Sequence, residues 1–255
     1  SMLGKEAALF VPSGTMSNAI SIRTHTNPGD EIITEATSHI YVYEGGGFAA
    51  LSGCSVALVP GKRGIMNPDD VAKAIRKQDG SLGHFPNGSL VCVENTSNRG
   101  GGTCYPLETL DAIAKVAHDN TCAAHMDGAR LFNASIATGI SPARMVRDYE
   151  SISICLSKGL GAPVGSVLVG SSDFIALAHR WRKMFGGGMR QAGIIAAGGI
   201  YALENHIERM VEDHARAQKL AESIRNMEGF DVDISTVESN MVYVTTDKLA
   251  SEVIE

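Results

Sequence analysis

The chain has 255 residues, of which 44% are apolar and 20% charged, and its formal net charge is −6. These values are typical of a globular protein with a sizeable core, and they exclude a disordered, collagen-like or coiled-coil chain. The negative net charge argues against a general nucleic-acid binder, because a surface that follows phosphates needs a basic excess.

The cysteines and the hydropathy pattern indicate a cytoplasmic protein. The five cysteines are odd in number and show no CxxC spacing, so reduced thiols are the simpler interpretation. The longest apolar stretch, residues 192–203, is interrupted by glycines and is shorter than the roughly 20 residues of a membrane span. No secretion signal or transit peptide is recognisable. We therefore expect no membrane partner and no nucleic-acid partner.

Strand-like and helix-like segments alternate along the chain. Short strands are predicted at residues 31–34, 55–59, 90–93, 122–126, 152–156 and 165–169. Helices are predicted at residues 16–25, 68–77, 107–119 and 173–184. This alternation predicts a three-layer α/β/α fold with a mostly parallel sheet, and the apolar strands are typical of burial on both faces.

The last quarter of the chain changes character. Residues 191–227 are predicted to be helical, in one helix or two, and the segments DVDIS and NMVYVTT after Gly229 are typical of strands. We thus predict a large domain at residues 1–206 and the beginning of a smaller α+β domain at residues 207–255.

Several polar segments follow predicted strands, at the edge where ligands bind in open α/β sheets. In PSGTMSNA, Ser13, Gly14 and Thr15 stand at a helix start, where free N–H groups favour a phosphate. The same residues also suit an ordinary helix cap, which is the simpler interpretation of this segment alone.

The segment AAHMDGARLFNA places His125 and Asp127 on one face of a strand. Asp127 could hold a cationic ring nitrogen or a metal ion, or it could cap the next helix. A metal ion is the least favoured choice, because no partner cluster has ligand spacing. On this segment alone, a helix cap and a functional acid are equally favoured interpretations of Asp127.

Lys158 in SICLSKGLGAPVGS stands between an apolar strand and a glycine cluster. It is either a solvated turn lysine or an amine that forms a Schiff base, since burial lowers the pKa of lysine. His39 in TSHIYVYEGGG is either structural or faces a flat aromatic cofactor. The segment RWRKMFGGGMRQAG is either a solvated basic face or an anion site.

Taken in order, the segments SGT, SHIY, ENT, HMDGAR, SKGLGAPVGS and RKMFGGGMRQAG resemble the low-specificity L-threonine aldolases. These are fold type I enzymes, similar to aspartate aminotransferase, that use pyridoxal 5′-phosphate. The resemblance implies an aldehyde-lyase that cleaves L-threonine or L-allo-threonine to glycine and acetaldehyde and serves glycine biosynthesis. The alternatives are another fold type I lyase, such as a β-eliminating one, or an inert paralogue that binds the cofactor.

The resemblance also implies residue roles. Lys158 carries the cofactor as a Schiff base, Asp127 pairs with its ring nitrogen, and His39 stacks on its ring. His84, in GHFP, matches a histidine close to the substrate hydroxyl, whose proton it takes directly or through a water. The remaining roles are phosphate binding by Gly14, Thr15 and Ser157, substrate carboxylate binding by Arg130, and contact with a neighbouring subunit's cofactor by Lys183 and Arg190. These shared sites imply a homotetramer, a dimer of dimers.

The chain departs from the family pattern in three places. The family's RSDT motif before the SGT helix is missing, and the C-terminal domain is cut near Glu255, which removes a second substrate-binding arginine. These two losses predict weak cofactor binding or slow turnover. In ENTSN, Ser97 stands where many members have histidine, and it either alters substrate preference or is neutral.

Overall fold

The fold, seen here in a computed structural model that describes residues 2–248, is built around a seven-stranded sheet. The strands are β1 (Ala7–Val11), β2 (Glu31–Glu35), β3 (Ser55–Val59), β4 (Gly61–Lys62), β5 (Ile65–Met66), β6 (Gly88–Glu94), β7 (Ala123–Asp127), β8 (Ser151–Cys155), β9 (Ser166–Gly170), β10 (Phe230–Asp231) and β11 (Thr245–Thr246). The central sheet has the order β1-β9-β8-β7-β6-β2-β3.

One strand of the central sheet runs against the others. β9 pairs antiparallel with both β1 and β8, whereas β8, β7, β6, β2 and β3 pair in parallel. The carboxyl ends of the other six strands therefore meet at one edge of the sheet, which we call the carboxyl edge. Fold type I was predicted with a mostly parallel sheet, and the sheet agrees with that prediction.

Helices cover both faces of the sheet. They are α1 (Gly14–His25), α2 (His39–Val42), α3 (Gly47–Ala50), α4 (Pro68–Ala74), α5 (Leu107–Asp119), α6 (Leu131–Thr138), α7 (Pro142–Met145), α8 (Ser172–Met184), α9 (Gly193–Asn205) and α10 (Met210–Arg225). Side chains alternate between the faces along each strand. Val91 and Val93 join the large core with Ile113 of α5, while Leu90 joins a smaller core with Ile22 of α1.

Most predicted elements are confirmed, with boundaries within two residues for the strands of the central sheet. β1 was not predicted as a strand. The helix predicted at residues 68–77 ends at Ala74, because Ile75 takes an extended conformation with ψ of 114°. The helical region at residues 191–227 forms two helices, α9 and α10.

The two strands predicted after Gly229 are much shorter than the sequence indicates. Only Phe230–Asp231 and Thr245–Thr246 pair, and a 3₁₀ turn at Ile234–Thr236 interrupts the first segment. These segments pack on α10 through a separate small core of Ala217, Ala221, Val232 and Val237. This separate core supports the division at residue 206, which we keep as a proposal. Residues 249–255 of the predicted small domain lie outside the described part.

Two further expectations concern the environment of the protein. No helix within residues 2–248 combines the length and the apolar character needed to cross a bilayer. All five cysteines are buried and unpaired, as reduced thiols require.

Candidate active site

Five chemically informative residues lie at the carboxyl edge of the sheet. Gly14 follows β1, His39 follows β2, and Lys158 follows β8, while Glu94 and Asp127 end β6 and β7. Because these strands point the same way, their ends bring segments that are far apart in sequence to one place. The edge is therefore the candidate active site.

Asp127 is the most deeply placed of these residues, with 3% of its surface exposed. Its Oδ2 accepts a hydrogen bond from Asn18 Nδ2 at 2.9 Å, and its Oδ1 accepts one from the Ala129 backbone N–H at 3.1 Å. Each oxygen is thus held by an N–H donor from outside the strand. The carboxylate has a fixed orientation at the end of β7.

A neutral histidine orients the Asn18 amide. Burial lowers the pKa of His125 to about 3, so its ring donates through one nitrogen only. Asn18 Oδ1, which lies 3.1 Å from Nε2, can only accept a hydrogen bond from the ring, while Nδ1 faces the Ser21 hydroxyl at 2.9 Å and the Ser151 carbonyl at 3.1 Å. With its oxygen bonded to His125, the amide must turn its NH₂ group toward Asp127.

The same amide also reaches the partner of His39. Asn18 Nδ2 donates to Glu44 Oε1 at 2.8 Å, and His39 Nδ1 donates to the same oxygen at 2.9 Å. The hydrogen bond to Glu44 raises the pKa of His39, although burial opposes it. Burial raises the pKa of Glu44 in turn, against the hydrogen bonds that it accepts. His39 and Asp127 therefore share one hydrogen-bonded network.

The start of α1 combines a helix cap with a close approach to β8. Ser13 Oγ accepts from the Met16 backbone N–H at 3.2 Å, so the cap interpretation of this segment is confirmed. A methyl group at Gly14 would lie 2.8 Å from Cys155 Sγ, a contact that only glycine avoids. The N–H groups of Gly14 and Thr15 have no carbonyl in their own helix to bind, which leaves them available to an anion.

Lys158 lies in the turn after β8 with an exposed side chain. The Gly161 backbone N–H donates to Lys158 O at 2.8 Å and closes this turn. Burial raises the pKa of the Cys155 thiol, the charge of Lys158 lowers it, and Asp127 raises it. Cys155 Sγ thus borders the start of α1 at Gly14, and the charges of both the amine and the carboxylate act on it.

Glu94, the first residue of the ENT motif, is a buried carboxyl group to which the sequence analysis assigned no role. It is the register partner of Asp127 on the adjacent strand. Its oxygens accept from the backbone N–H groups of His39 and Asn98, both at 3.1 Å. Burial and the neighbouring Asp127 raise the pKa of Glu94 to about 7. It ties the His39 segment to the loop after β6.

Arg130 stands at the rim of this edge. It is half-buried, and its guanidinium donates to Asn98 Oδ1 at 3.4 Å. The Asn98 carbonyl accepts from the Tyr243 hydroxyl at 2.6 Å, and the Arg99 guanidinium lies 5.8 Å from the ring centroid of Tyr43. Two cations and two phenols therefore surround the loop after β6.

Ser97 turns away from this rim. Its side chain is buried, and its Oγ accepts from the Gly100 backbone N–H at 3.2 Å. Gly64 packs against the serine so closely that a Cβ there would overlap its hydroxyl. A small residue at position 97 therefore suits the close packing of this turn.

The prediction that His84 takes the hydroxyl proton is not supported by the fold. His84 is exposed and lies four residues before β6 begins at Gly88. The seven residues of β6 span about 20 Å, at roughly 3.3 Å per residue, from that end to the carboxyl edge. The family resemblance predicts that His84 lies close to the substrate hydroxyl. The direction of β6 instead places it at the edge of the sheet opposite the carboxyl edge.

The glycine-rich segment after α8 lies beside the start of α1. Arg182 donates to the carbonyl of Phe10 at 2.9 Å, and Gly187 packs against Met16 without room for a side chain. Lys183 and Arg190 are both exposed next to this contact. Their binding to a neighbouring subunit's cofactor stays a prediction.

Comparisons with known proteins agree with this geometry. The sequence profile of the beta-eliminating lyase family matches residues 1–247. The chain belongs to this family. It is 44% identical over 243 residues to the probable low-specificity L-threonine aldolase 2 of Arabidopsis thaliana, which covers 94% of this chain and 68% of that protein. It is 42% identical over 242 residues to the low specificity L-threonine aldolase of Escherichia coli K12, covering 94% of this chain and 70% of that protein.

A solved structure shows the same fold. A putative L-allo-threonine aldolase of Listeria monocytogenes superposes with a TM-score of 0.85 at 27% identity, over 99% of this chain and 68% of that one. The chain is thus a fold type I, pyridoxal phosphate-dependent lyase, as the resemblance of its motifs implied.

The residues at the carboxyl edge fit the cofactor of this family. A buried acceptor, Asp127, suits a protonated ring nitrogen, and the N–H groups at Gly14 and Thr15 suit a phosphate. The glycine at position 14 keeps the start of α1 against Cys155, so that the helix end and the Lys158 turn lie together. The N–H groups at the start of α1, the buried Asp127 and the nearby Lys158 turn thus match a phosphorylated pyridine aldehyde.

The same edge offers one arrangement that a metal ion could use. Within residues 2–248, the ligand atoms of His39, Glu44 and Asp127 form the one group of three that lies within 4.8 Å. The Asn18 NH₂ group donates to both carboxylates of this group. N–H dipoles that point into the gap disfavour a cation there, so an organic cofactor fits the site better.

The sequence analysis assigned no role to Asn18, Glu44 or Glu94, although the segments PSGTMSNA, TSHIYVYEGGG and ENT contain them. Glu94 had a usable signal, since an acid directly after the apolar run LVCV marks the end of a buried strand. Glu44 precedes three glycines, a pattern that resembles any solvated loop. The bonds from Asn18 to Glu44 and Asp127 span 26 and 109 residues, and no local pattern contains them.

Proposed function

We propose that this chain cleaves L-threonine and L-allo-threonine to glycine and acetaldehyde. The observation that carries the proposal is the meeting of Lys158, Asp127, His39 and the start of α1 at one edge, in a chain 44% identical to a probable low-specificity L-threonine aldolase. The reaction is a retro-aldol cleavage, which breaks Cα–Cβ and transfers the hydroxyl proton to a base. The bound pyridoxal phosphate supplies an electron-withdrawing ring for the charge left on Cα.

Each side chain at the edge has a proposed task. Lys158 binds the cofactor covalently and exchanges with the substrate amine. The negative charge of Asp127 keeps the ring nitrogen protonated. If this charge raises the pKa of the ring nitrogen by ~2–3 units, the protonated form is stabilised by roughly 3–4 kcal/mol. His39 lies against the ring. The remaining proposed contacts are with the phosphate for Gly14, Thr15 and Ser157, and with the substrate carboxylate for Arg130.

We further propose a homo-oligomer, a dimer of dimers, that shares its active sites. Lys183 and Arg190 are exposed beside α1, where a neighbouring subunit's phosphate would meet them. Helix α9 supports this arrangement, since Ile194 is 85% exposed and Ile200 and Tyr201 are also exposed. Light scattering during size-exclusion chromatography is expected to give four times the chain mass. The mass of a single chain would contradict the proposal.

The cellular role follows from the same proposal. Unpaired cysteines suit a cytoplasmic enzyme, and cleavage of threonine there would supply glycine.

The decisive assay is product analysis after incubation with pyridoxal phosphate and L-threonine. Acetaldehyde and glycine in equal amounts are expected, and Lys158→Ala is the control that should release neither. Ammonia and a keto acid would instead identify an eliminating lyase of the same fold. Cofactor binding without any product would identify an inert paralogue.

A further inference from the structure

Glu44 has no assigned role in the proposed function, yet it lies at the centre of its site. It is buried where α2 and α3 meet, five residues after His39. We propose that Glu44, held by Asn18, is the positioning residue that fixes the His39 ring beside Asp127 with a proton on Nδ1. This inference rests on the proposed function for its catalytic consequence only.

Asn18 has a fixed orientation inside the protein. Its side chain is 1% exposed and has every polar atom engaged inside the protein. Oδ1 faces His125 Nε2 at 3.1 Å, and Nδ2 faces Glu44 at 2.8 Å and Asp127 at 2.9 Å. The two protons of one amide thus bind one carboxylate each, which fixes the two acids relative to each other.

Glu44 accepts hydrogen bonds from two side chains. One oxygen, Oε1, receives both Asn18 Nδ2 and His39 Nδ1. Asn18 is neutral, so the His39 imidazole is the group at this carboxylate that can carry a positive charge. A buried carboxylate without a cation or further donors is costly, and the contact therefore favours a proton on His39 Nδ1.

His39 lies among acidic side chains. Glu44 contacts it directly, Glu94 accepts from its backbone N–H, and Asp127 acts on it through space. The fourth neighbour, the ring of Tyr43, is uncharged and lies 5.5 Å from the imidazole centroid. Among the described residues, three acids therefore act on the ring, and together they raise the pKa of His39, with the Glu44 hydrogen bond as the largest cause.

As a consequence, the His39 ring cannot rotate freely about its side-chain bonds. The bond from Nδ1 to Glu44 fixes the imidazole plane, while the backbone bond to Glu94 fixes the start of α2. A histidine that lies on a flat cofactor must hold its plane, and a misplacement of about 1 Å can cost a hundredfold in rate. Glu44 would thereby act on the reaction without touching the substrate.

The test is ¹⁵N NMR of histidine-labelled, cofactor-free protein, with the His39 signals assigned by their loss in His39→Asn. We expect Nδ1 to be protonated at pH 7 and the pKa of the ring to lie above 6.5. In Glu44→Gln the pKa of His39 should fall, because the opposite charge is gone. Glu212→Gln, the same change at an acid on the surface of α10, should leave it unchanged. An unprotonated Nδ1 in the wild type, or an unchanged pKa in Glu44→Gln, would overturn the proposal.

Measurements of cofactor affinity complete the test. Glu44→Gln is expected to bind pyridoxal phosphate at least about tenfold more weakly, since a charge-assisted hydrogen bond is lost. Glu44→Asp keeps the charge and should recover most of the His39 titration and of the affinity. Equal losses in both variants would indicate a packing role and refute the proposal. A wild-type protein that fails to cleave threonine but gives the expected His39 spectrum would refute the proposed function and leave this inference intact.

Discussion

Lys158 differs from a surface lysine in its neighbours. Its ammonium lowers the pKa of a buried thiol, Cys155, and the charge of Asp127 raises that pKa. The same thiol borders Gly14. The amine is exposed enough to react, and both it and the buried acid act on the same thiol. These surroundings, and not the residue type, make it the candidate for covalent binding.

Lys158→Ala is expected to abolish covalent cofactor binding and to lower threonine cleavage by several orders of magnitude, with the fold preserved. The side chain is exposed, so its loss leaves no cavity in the core. Visible absorption and acetaldehyde release measure the two effects, and circular dichroism checks the fold. Threonine cleavage at the wild-type rate would refute the assignment.

Asp127→Asn is expected to keep the cofactor bound but to slow cleavage about a hundred- to a thousandfold, because the ring nitrogen loses the charge that keeps it protonated. The substitution also places an amide next to that of Asn18, which donates to Asp127 Oδ2. Single-turnover kinetics with L-threonine measure the rate, and the cofactor absorption checks occupancy. Unchanged turnover would show that another group protonates the ring.

At the scale of elements, two helix starts illustrate what packing adds to local sequence. Both α1 and α9 begin with glycine, at Gly14 and Gly193. A methyl group at Gly14 would meet Cys155 Sγ at 2.8 Å, whereas one at Gly193 would meet nothing within 4 Å. Only the first glycine is required by its surroundings.

Gly14→Ala is therefore expected to move the start of α1, to destabilise the protein by about 1–3 kcal/mol and to weaken cofactor binding. Gly193→Ala is the matched control for stability and should leave the free energy of unfolding nearly unchanged, because its methyl group meets no atom within 4 Å. Chemical denaturation and cofactor titration measure the effects.

The overlap itself can be tested by a second substitution. Cys155→Ala in the Gly14→Ala background removes the sulfur atom and should recover part of the lost stability. No recovery would indicate that the cause lies elsewhere.

The elements were predictable from sequence to the extent that their signals are local. Apolar strands and acid-started helices identified most of the sheet and its direction, and with it the carboxyl edge. The segment NMVYVTT has a strand pattern, yet only Thr245–Thr246 pair, because strand pairing depends on a partner that the pattern does not specify. The hydrogen bonds of Asn18 and the true position of His84 depend on tertiary placement, which no short motif contains.

At the scale of the whole molecule, two buried histidines couple the fold to pH. His25 stacks on Phe174 with ring centroids 4.6 Å apart, and its Nε2 lies 2.8 Å from Ser151 Oγ, which also contacts His125. Burial lowers the pKa of His25 to about 4 and that of His125 to about 3. Between these values and the ordinary 6.5, the unfolded chain binds more protons than the folded one, so stability falls as the pH falls.

The free energy of unfolding of the cofactor-free protein is expected to reflect this linkage. His25 alone should contribute a loss of about 2 kcal/mol between pH 7 and pH 5. Urea denaturation at both pH values, in the wild type and in His25→Gln, isolates this contribution as the difference of the two losses. The raised pKa of Glu94 makes the folded protein more stable as the pH falls. This contribution is the same in both proteins, so it cancels in the difference. Equal losses in the two proteins would contradict the burial argument.

The central claim is that Lys158 holds pyridoxal phosphate at the edge where Asp127 ends β7. The most direct measurement is borohydride reduction of the protein with bound cofactor, followed by proteolysis and mass spectrometry of the lysine peptides. The account predicts a reduced pyridoxyl group on the peptide that contains Lys158, and on no other. A pyridoxyl group on a different lysine, or none on a protein that cleaves threonine, would contradict it.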